Sequence, residues 1–241
     1  MNIITGMHRS GTSAIARLFY ESGIDMGSRD TFYRPDQWNP EGYFEQPDIQ
    51  SINIPLINGP WGKFSYLRLP SEETITKRAQ KISEKISAAA QKYRGKLVKE
   101  TRFCLTFNAW QEHGAGISKV LACLREPIQV AQSLYKRNRL PIGHALNLWY
   151  EHYKRLMLQT QKTAVWFIDY NHLMEENQYD KEIKAAFDFF SYSLSGEETQ
   201  RLWKTFVKPE MNHHTTSSFP YSVGIKTLWR ELSEKHKKQF S

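Results

Sequence analysis

The sequence predicts a three-layer αβα domain built around a central parallel sheet. Short apolar segments suited to strands alternate along the chain with longer amphipathic segments suited to helices. The segment Lys119–Leu124 is apolar on both faces, as expected of a parallel strand that helices cover on both sides. A glycine-rich turn joins the first strand to the first helix. We expect residues 1–241 to form one such domain, since no repeat or linker divides them.

The first half of the chain supplies two strands and two helices. A short apolar strand covers residues 2–5, and a helix follows the turn at residues 12–21. Residues 27–47 are polar and rich in Pro and Gly, which predicts a loop, and the three prolines in residues 50–70 predict mostly irregular structure. Ser71 followed by two glutamates suits the start of a helix that continues to about residue 94. The second strand is predicted at residues 96–99.

The second half repeats the alternation. Pro127 suits the first turn of a helix that follows the third strand. A fourth strand is expected at residues 164–168, and residues 208–224 are expected to form a polar loop. Helices are predicted at residues 127–136, 142–159, 181–190, 197–206 and 227–239.

Composition limits the possible functions. Hydrophobic residues make up 40% of the chain, enough for a core, so the chain is not expected to be disordered. The formal net charge of +8 favours anionic ligands such as nucleotides, nucleic acids, acidic glycans or a membrane surface, although part of the excess belongs on solvated helix faces.

Cys104 and Cys123 lie in apolar runs without metal-type spacing, so we expect buried, reduced thiols and a cytoplasmic protein. The N-terminus lacks the features of a signal peptide, and no apolar run is long enough to span a membrane. His213 and His214 are adjacent and therefore point apart, which makes a poor metal pair. No metal is expected.

The turn after the first strand almost matches the phosphate-binding P-loop, Gly-x4-Gly-Lys-Ser/Thr. Gly6, Gly11 and Ser13 have the correct spacing, but Thr12 replaces the lysine and Arg9 brings a cation into the loop. Backbone N–H groups at such a turn, aided by the helix dipole, bind anions. The predicted anion site contains Gly6, His8, Arg9, Ser10, Gly11, Thr12 and Ser13. The fold class is therefore expected to be P-loop-NTPase-like, although this loop lacks the lysine that contacts the phosphates of a magnesium nucleotide.

A second candidate site follows the third strand. Arg125 ends that strand, where α/β folds bind ligands, and Ser133 lies eight residues on in the next helix. The two side chains suit the binding of one phosphate. An ion pair of Arg125 with Glu126 or with a helix carboxylate is the structural alternative.

Together these segments resemble the sulfotransferases that use 3′-phosphoadenosine 5′-phosphosulfate (PAPS). The matching segments are Thr-Gly-Met-His-Arg-Ser-Gly-Thr-Ser at residues 5–13 and Leu-Arg-Glu-Pro at residues 124–127 with the later Ser133. In that family the first segment holds the 5′-phosphosulfate and the second holds the 3′-phosphate. Residues 39–45 and 99–105 look like segments of bacterial members, with Lys-Glu-Thr-Arg in place of Lys-Asp-Pro-Arg, and residues 167–173 match more loosely.

The resemblance implies sulfuryl transfer from PAPS to an acceptor hydroxyl by in-line displacement, without a metal. Arg9 is the expected catalytic cation. The general base stays open among Glu45, which lies where carbohydrate and protein-tyrosine branches carry a glutamate, Glu41 and His8. Lys99 and Arg102 are expected to line the donor or an acidic acceptor, with surface or structural ion pairs as the alternative.

Two other functions remain possible. A P-loop kinase or NTPase using Mg-ATP would employ Asp169 as a magnesium ligand, but Thr12 in place of the lysine counts against it. A non-enzymatic protein that binds anionic polymers is permitted by the charge, yet no nucleic-acid-binding motif appears, so no nucleic-acid partner is expected. For the sulfotransferase, the acceptor is expected to be a carbohydrate, lipid-linked or small-metabolite hydroxyl. The oligomeric state is left open.

Overall fold

The structure is a computed structural model that describes residues 1–59, 68–207 and 219–241. Its centre is a four-stranded, fully parallel sheet with strand order β2-β1-β3-β4. The strands are β1 (Asn2–Thr5), β2 (Leu97–Lys99), β3 (Lys119–Leu124) and β4 (Ala164–Asp169). The four predicted strands are confirmed, each end within one residue.

Helices cover both faces of the sheet, which confirms the three-layer class. Side chains alternate along β1, so that Ile3 belongs to one apolar cluster and Ile4 to the other. The first cluster unites the sheet with α2–α7 and α11, and the second unites it with α1 and α8–α10. The helices are α1 (Thr12–Glu21), α2 (Pro47–Asn58), α3 (Glu72–Gln80), α4 (Ser83–Lys92), α5 (Phe103–Glu112), α6 (Pro127–Asn138), α7 (Ile142–Gln159), α8 (Tyr170–Met174), α9 (Tyr179–Phe189), α10 (Gly196–Phe206) and α11 (Val223–Lys238).

The register of the sheet brings two loops together. Thr5 at the end of β1 pairs with Ala122, and Leu124 at the end of β3 pairs with Asp169 at the end of β4. The loops that leave these parallel strands therefore meet at one edge, where α/β folds bind ligands.

The expectation of irregular structure over residues 50–70 was wrong for its first part. Residues 47–58 form α2, with Pro47 in the first turn, where a missing N–H costs nothing. Pro55 lies in the last turn, and the helix buries Ile49, Ile52 and Leu56 on one face. This apolar face outweighs the proline because tertiary packing supplies most of a helix's stability. Residues 60–67 lie outside the described residues.

The helix predicted from residue 71 to about 94 is two helices. Ser71 caps α3 by accepting from the Thr74 N–H, as its position suggested, but the Ile82 N–H bonds to the Ala79 carbonyl, three residues back. This tighter turn ends α3 before α4 begins. Helix α5 had no predicted counterpart: it is buried almost all round, so the one-sided apolar stripe that identifies a surface helix is missing.

Smaller differences concern α8 and α11. The short α8 had no predicted counterpart, and Asp169 caps it by accepting from the Asn171 N–H. Helix α11 begins at Val223, so the polar loop predicted for residues 208–224 ends earlier, because Ser222 caps the helix through the Ile225 N–H. Residues 208–218 of that segment are outside the described part of the chain.

One side chain closes the free edge of β4. The amide of Gln239, just after α11, accepts from the Phe167 N–H (2.8 Å) and donates to the Phe167 carbonyl (3.1 Å). It thereby occupies the two hydrogen-bonding groups that Phe167 would offer to a further strand.

Candidate active site

A cavity of about 540 Å³ opens at the carboxyl edge of the sheet. Ligand pockets generally span roughly 300–1,000 Å³, so this one can hold a nucleotide-sized molecule. Its lining contains most residues that the sequence singled out: His8, Arg9, Gly11, Thr12, Ser13, Glu41, Glu45, Lys99, Arg102, Arg125 and Ser133. Gly6 and Ser10 are not among the lining residues and support the loop from behind.

Two glycines of the loop are required by close contacts. A Cβ at Gly6 would lie 2.7 Å from the Cys123 carbonyl oxygen, and φ there is 150°. At Gly11, where φ is 87°, a Cβ would lie 2.0 Å from a ring carbon of Tyr170. The loop therefore packs tightly between the ends of β3 and β4, and only glycine tolerates both the close contacts and the positive φ at these two positions.

The Ser10 hydroxyl faces inward. It is fully buried and bonds with the Tyr153 hydroxyl at 3.1 Å, while Tyr153 also donates to the Cys123 carbonyl. Ser10 therefore fixes the loop to α7 and β3 through its side chain. The Ser10 N–H donates to the Met7 carbonyl at 3.1 Å, so both its hydroxyl and its N–H have partners within the protein, and its role in anion binding stays a prediction.

Arg9 and Arg125 are held in one arrangement. Arg9 Nε donates to Ser133 Oγ at 2.9 Å, and Arg125 donates to the Arg9 carbonyl at 3.1 Å. Arg9 adopts a left-handed φ of 72°, which costs a non-glycine residue about 1–2 kcal/mol, so these contacts hold a strained backbone in place. Arg125 also donates to Gln129 on α6 at 3.1 Å.

The positive charge of the cavity is partly desolvated. Burial lowers the pKa of both Arg9 and Arg125, and the neighbouring Arg137 lowers that of Arg9 further. Both groups stay charged, because arginine does not lose its proton in proteins. Among the lining residues that belong to the described part of the chain, seven are Lys or Arg and three are Asp or Glu. The cavity is thus suited to an anion.

Glu45 and Lys99 form a buried ion pair at the floor of the cavity. Lys99 Nζ donates to one Glu45 oxygen, and Gln50 Nε2 donates to the other. Lys99 also approaches Ser13 Oγ at 3.4 Å, which connects the pair with the phosphate loop. The pair places a carboxylate inside the cavity, oriented from two sides.

The other two candidate bases have different surroundings. Glu41 contacts Arg17 at 2.5 Å. His8 lies within hydrogen-bond distance of Thr101 Oγ1, and burial, then the positive charge of Arg102, holds the pKa of His8 well below its usual range. His8 is therefore neutral near pH 7.

Arg102 fits both readings that the sequence left open. It lines the cavity, and its guanidinium also bonds with the buried Glu100 at 2.7 Å. Lys99 is likewise both a lining residue and an ion-pair partner.

Sequence reasoning missed Tyr170 and Arg137 as site residues. The Tyr170 ring packs on Gly11 and lies 4.3 Å from the Arg125 guanidinium carbon, in cation–π contact. An aromatic residue directly after a parallel strand was the available signal. Arg137 contacts Asp36 (3.3 Å) and Tyr43 (3.0 Å), joining α6 to the loop that covers the cavity. Its position in the last turn of a helix resembles that of any solvated cation, so no signal marked it.

Other expectations have more limited outcomes. Cys104 and Cys123 are buried and unpaired with each other, as expected. Trp110 and Trp149 are buried, Trp38 lines the cavity, and Trp61, His213 and His214 lie outside the described residues. Within the described ranges, no helix has both the length and the apolar character to cross a membrane.

Comparison with known proteins identifies the fold. No protein-family model matches the chain, and no curated protein matches it in sequence. Among solved structures, the sulfotransferase domain of the Synechococcus PCC 7002 olefin synthase superimposes with a TM-score of 0.55 at 14% identity, covering 97% of this chain and 94% of that domain. The sulfotransferase domain from the curacin biosynthetic pathway gives 0.51 at 12% identity, covering 96% and 97%. At such identities the likeness establishes a shared sulfotransferase fold over nearly the whole chain.

Proposed function

We propose that this protein, as a single domain over residues 1–241, is a sulfotransferase that moves a sulfuryl group from PAPS to an acceptor hydroxyl. The observation that carries the proposal is the contact of Arg9 with Ser133 and of Arg125 with the Arg9 carbonyl at the rim of a cationic cavity. It joins two anion-binding elements that are 116 residues apart in sequence. The sulfotransferase fold of the two neighbours supports the same function.

The residues present suit a nucleotide with phosphates at both ends. The loop of residues 6–13 would hold the 5′-phosphosulfate with its N–H groups and Arg9, while Arg125 and Ser133 would hold the 3′-phosphate. When bound, PAPS supplies an activated sulfuryl group whose leaving group is the 5′-phosphate. Arg9 then neutralises charge on the transferring and bridging oxygens, and the fixed loop dipoles do so without reorganising.

Glu45 is the base we favour. It lies in the cavity, and Lys99 and Gln50 orient its two oxygens, so it can accept the acceptor's proton at a fixed position. Glu41 is also ion-paired, with Arg17, but its side chain is 32% exposed against 6% for Glu45, so it is less firmly fixed within the cavity. The depressed pKa of His8 makes that imidazole a weak proton acceptor. His8 is better suited to donate a hydrogen bond to the sulfuryl oxygens.

The acceptor we propose is a hydroxyl on a carbohydrate, a lipid-linked molecule or a small metabolite. The position of Glu45 and the basic character of the cavity motivate this choice. Turnover restricted to phenols, in a panel that includes glycans and lipid-linked alcohols, would overturn it.

Nucleotide titration tests the function directly. Calorimetry with 3′-phosphoadenosine 5′-phosphate should show micromolar binding without Mg²⁺. Arg125→Ala should weaken binding roughly 10- to 150-fold, which is the loss of a charged hydrogen bond worth about 1.5–3 kcal/mol. Arg9→Ala should behave similarly, and Arg230→Ala, an exposed arginine on α11, is the matched control. Indifference of the wild type to this nucleotide, or ATP hydrolysis that depends on Mg²⁺, would refute the proposal.

A further inference from the structure

A second cluster of chemically active side chains lies outside the cavity. His172 on α8, Glu182 on α9 and His236 on α11 each offer one ligand-type atom, and these atoms all lie within 4.8 Å of one another. None of the three residues lines the cavity described above. The positions 172, 182 and 236 form no recognisable metal-binding motif in the sequence.

The distances suit a small metal ion. Glu182 Oε1 lies 3.1 Å from His172 Nδ1 and 2.7 Å from His236 Nε2. In a tetrahedral zinc site with bonds of about 2.0–2.1 Å, neighbouring ligand atoms are about 3.3 Å apart. Both contacts are hydrogen bonds in this structure, and a bound ion would take the place of the shared protons.

The carboxylate is oriented by the backbone behind it. Glu182 Oε2 accepts from the Asp169 N–H at 3.2 Å, which leaves Oε1 facing the two imidazoles. Such outer-shell hydrogen bonds orient ligands in known metal sites. The Glu182 and His236 side chains are only 3% and 5% exposed, whereas that of His172 is 30% exposed and offers a route of entry from solvent.

We propose that His172, Glu182 and His236 bind one divalent transition-metal ion, with Zn²⁺ as the best match to two imidazoles and one carboxylate. Three protein ligands leave a fourth position for water. Since the ligands come from three helices, the ion would join α11 to the α8–α9 corner. Helix α8 begins directly after Asp169 with Tyr170, whose ring packs on Gly11. Three protein ligands with a water are the usual pattern of catalytic zinc sites, but this site lies outside the cavity, so the role we assign to it is structural.

The test is calorimetric titration of the full-length, chelator-treated protein with ZnSO₄ at pH 7.5 and without nucleotide. We expect one equivalent to bind, and Glu182→Gln and His172→Gln to weaken binding at least about 100-fold, since even outer-shell changes cost 10- to 100-fold. Mg²⁺ should not bind, because it prefers oxygen ligands. Co²⁺ should give visible absorption bands typical of tetrahedral coordination.

Two controls separate this site from adventitious binding. His144→Gln changes a histidine on α7 and should bind Zn²⁺ like the wild type. The double variant His213→Gln/His214→Gln should also retain binding. His172 is partly exposed, so its variant should keep the circular dichroism spectrum of the wild type. A hydrogen-bonded triad without metal affinity would give no saturable binding. That result, or binding unchanged in folded His172→Gln, or binding lost in the 213/214 double variant, would overturn the proposal.

Discussion

The buried pair of Glu45 and Lys99 permits a sharp test of the cavity's electrostatics. We consider Lys99→Met, Glu45→Met and the double variant, which form a double-mutant cycle with side chains of similar length. Each single change leaves one charge buried among protein atoms without its partner. The double change removes both charges and replaces them with apolar side chains.

The burial of both side chains determines the size of the expected coupling free energy. The side chains of Lys99 and Glu45 are 2% and 6% exposed, so solvent screens them little. Removing one partner of such a pair costs about 3–5 kcal/mol, whereas replacing both is often neutral or stabilising. The coupling free energy should therefore reach about 3 kcal/mol or more. The exposed pair Lys77–Glu73 provides the control: its side chains are 68% and 75% exposed, and its coupling should be about 0.3–0.5 kcal/mol.

Urea unfolding followed by circular dichroism measures both cycles. In the buried cycle, the double variant should be more stable than either single variant. Additive effects at Lys99 and Glu45, or coupling no larger than that of the exposed pair, would mean that water reaches the cavity floor and that the pair is screened. The folded double variant should also lack turnover, since it lacks the proposed base.

Three further predictions concern the loop and its neighbours. Gly11→Ala should abolish nucleotide binding because the new methyl group would displace Tyr170. Gly23→Ala is the control: Gly23 is also at positive φ, but nothing lies within 4 Å of its Cβ, so the change should cost only about 1 kcal/mol in urea unfolding. Equal effects of the two changes would contradict the packing argument. Tyr170→Leu should weaken nucleotide binding about 2- to 30-fold in calorimetry, the loss of a cation–π contact worth about 0.5–2 kcal/mol, and unchanged affinity would show that the contact is idle. His152 is buried and its pKa is lowered to about 4, so the unfolded chain, with a histidine pKa near 6.5, binds more protons than the folded chain below that pH; stability is then lost as pH falls from about 6.5 towards 4. Between pH 7 and pH 5 the wild type should lose about 2 kcal/mol more than His152→Gln in urea unfolding, and parallel pH dependences would exclude His152 as the cause.

An element of the fold could be predicted where the pattern that identifies it lies within a single segment of the sequence. The strand at residues 119–124 is apolar on both faces and was predicted with its observed bounds. Helix α5 is buried almost all round, so its sequence lacks the one-sided apolar pattern that identifies an amphipathic helix. Helix α2 contains Pro55, whose local cost is visible in the sequence while the packing that offsets it is not.

The site residues likewise divide into those that a local sequence pattern identifies and those that it does not. Arg9, Arg125 and Ser133 were predicted because each occupies a fixed position after a strand, and parallel strands carry such positions to one edge. The partner of Lys99 was not predicted, since Glu45 lies 54 residues earlier in a loop whose course no local pattern specifies. A sequence shows which groups follow a strand, but it does not show which groups a loop brings to them.

Gln239 has a consequence for the solubility of the chain. A free strand edge offers unpaired N–H and C=O groups on which a second molecule can extend the sheet. The Gln239 amide occupies both groups of Phe167, so the middle of β4 is closed to such a molecule by a single side chain. The opposite edge strand, β2, is three residues long, which gives an incoming strand little to pair with. Gln239 at one edge and the shortness of β2 at the other thus both reduce the opportunity for a second molecule to extend the sheet.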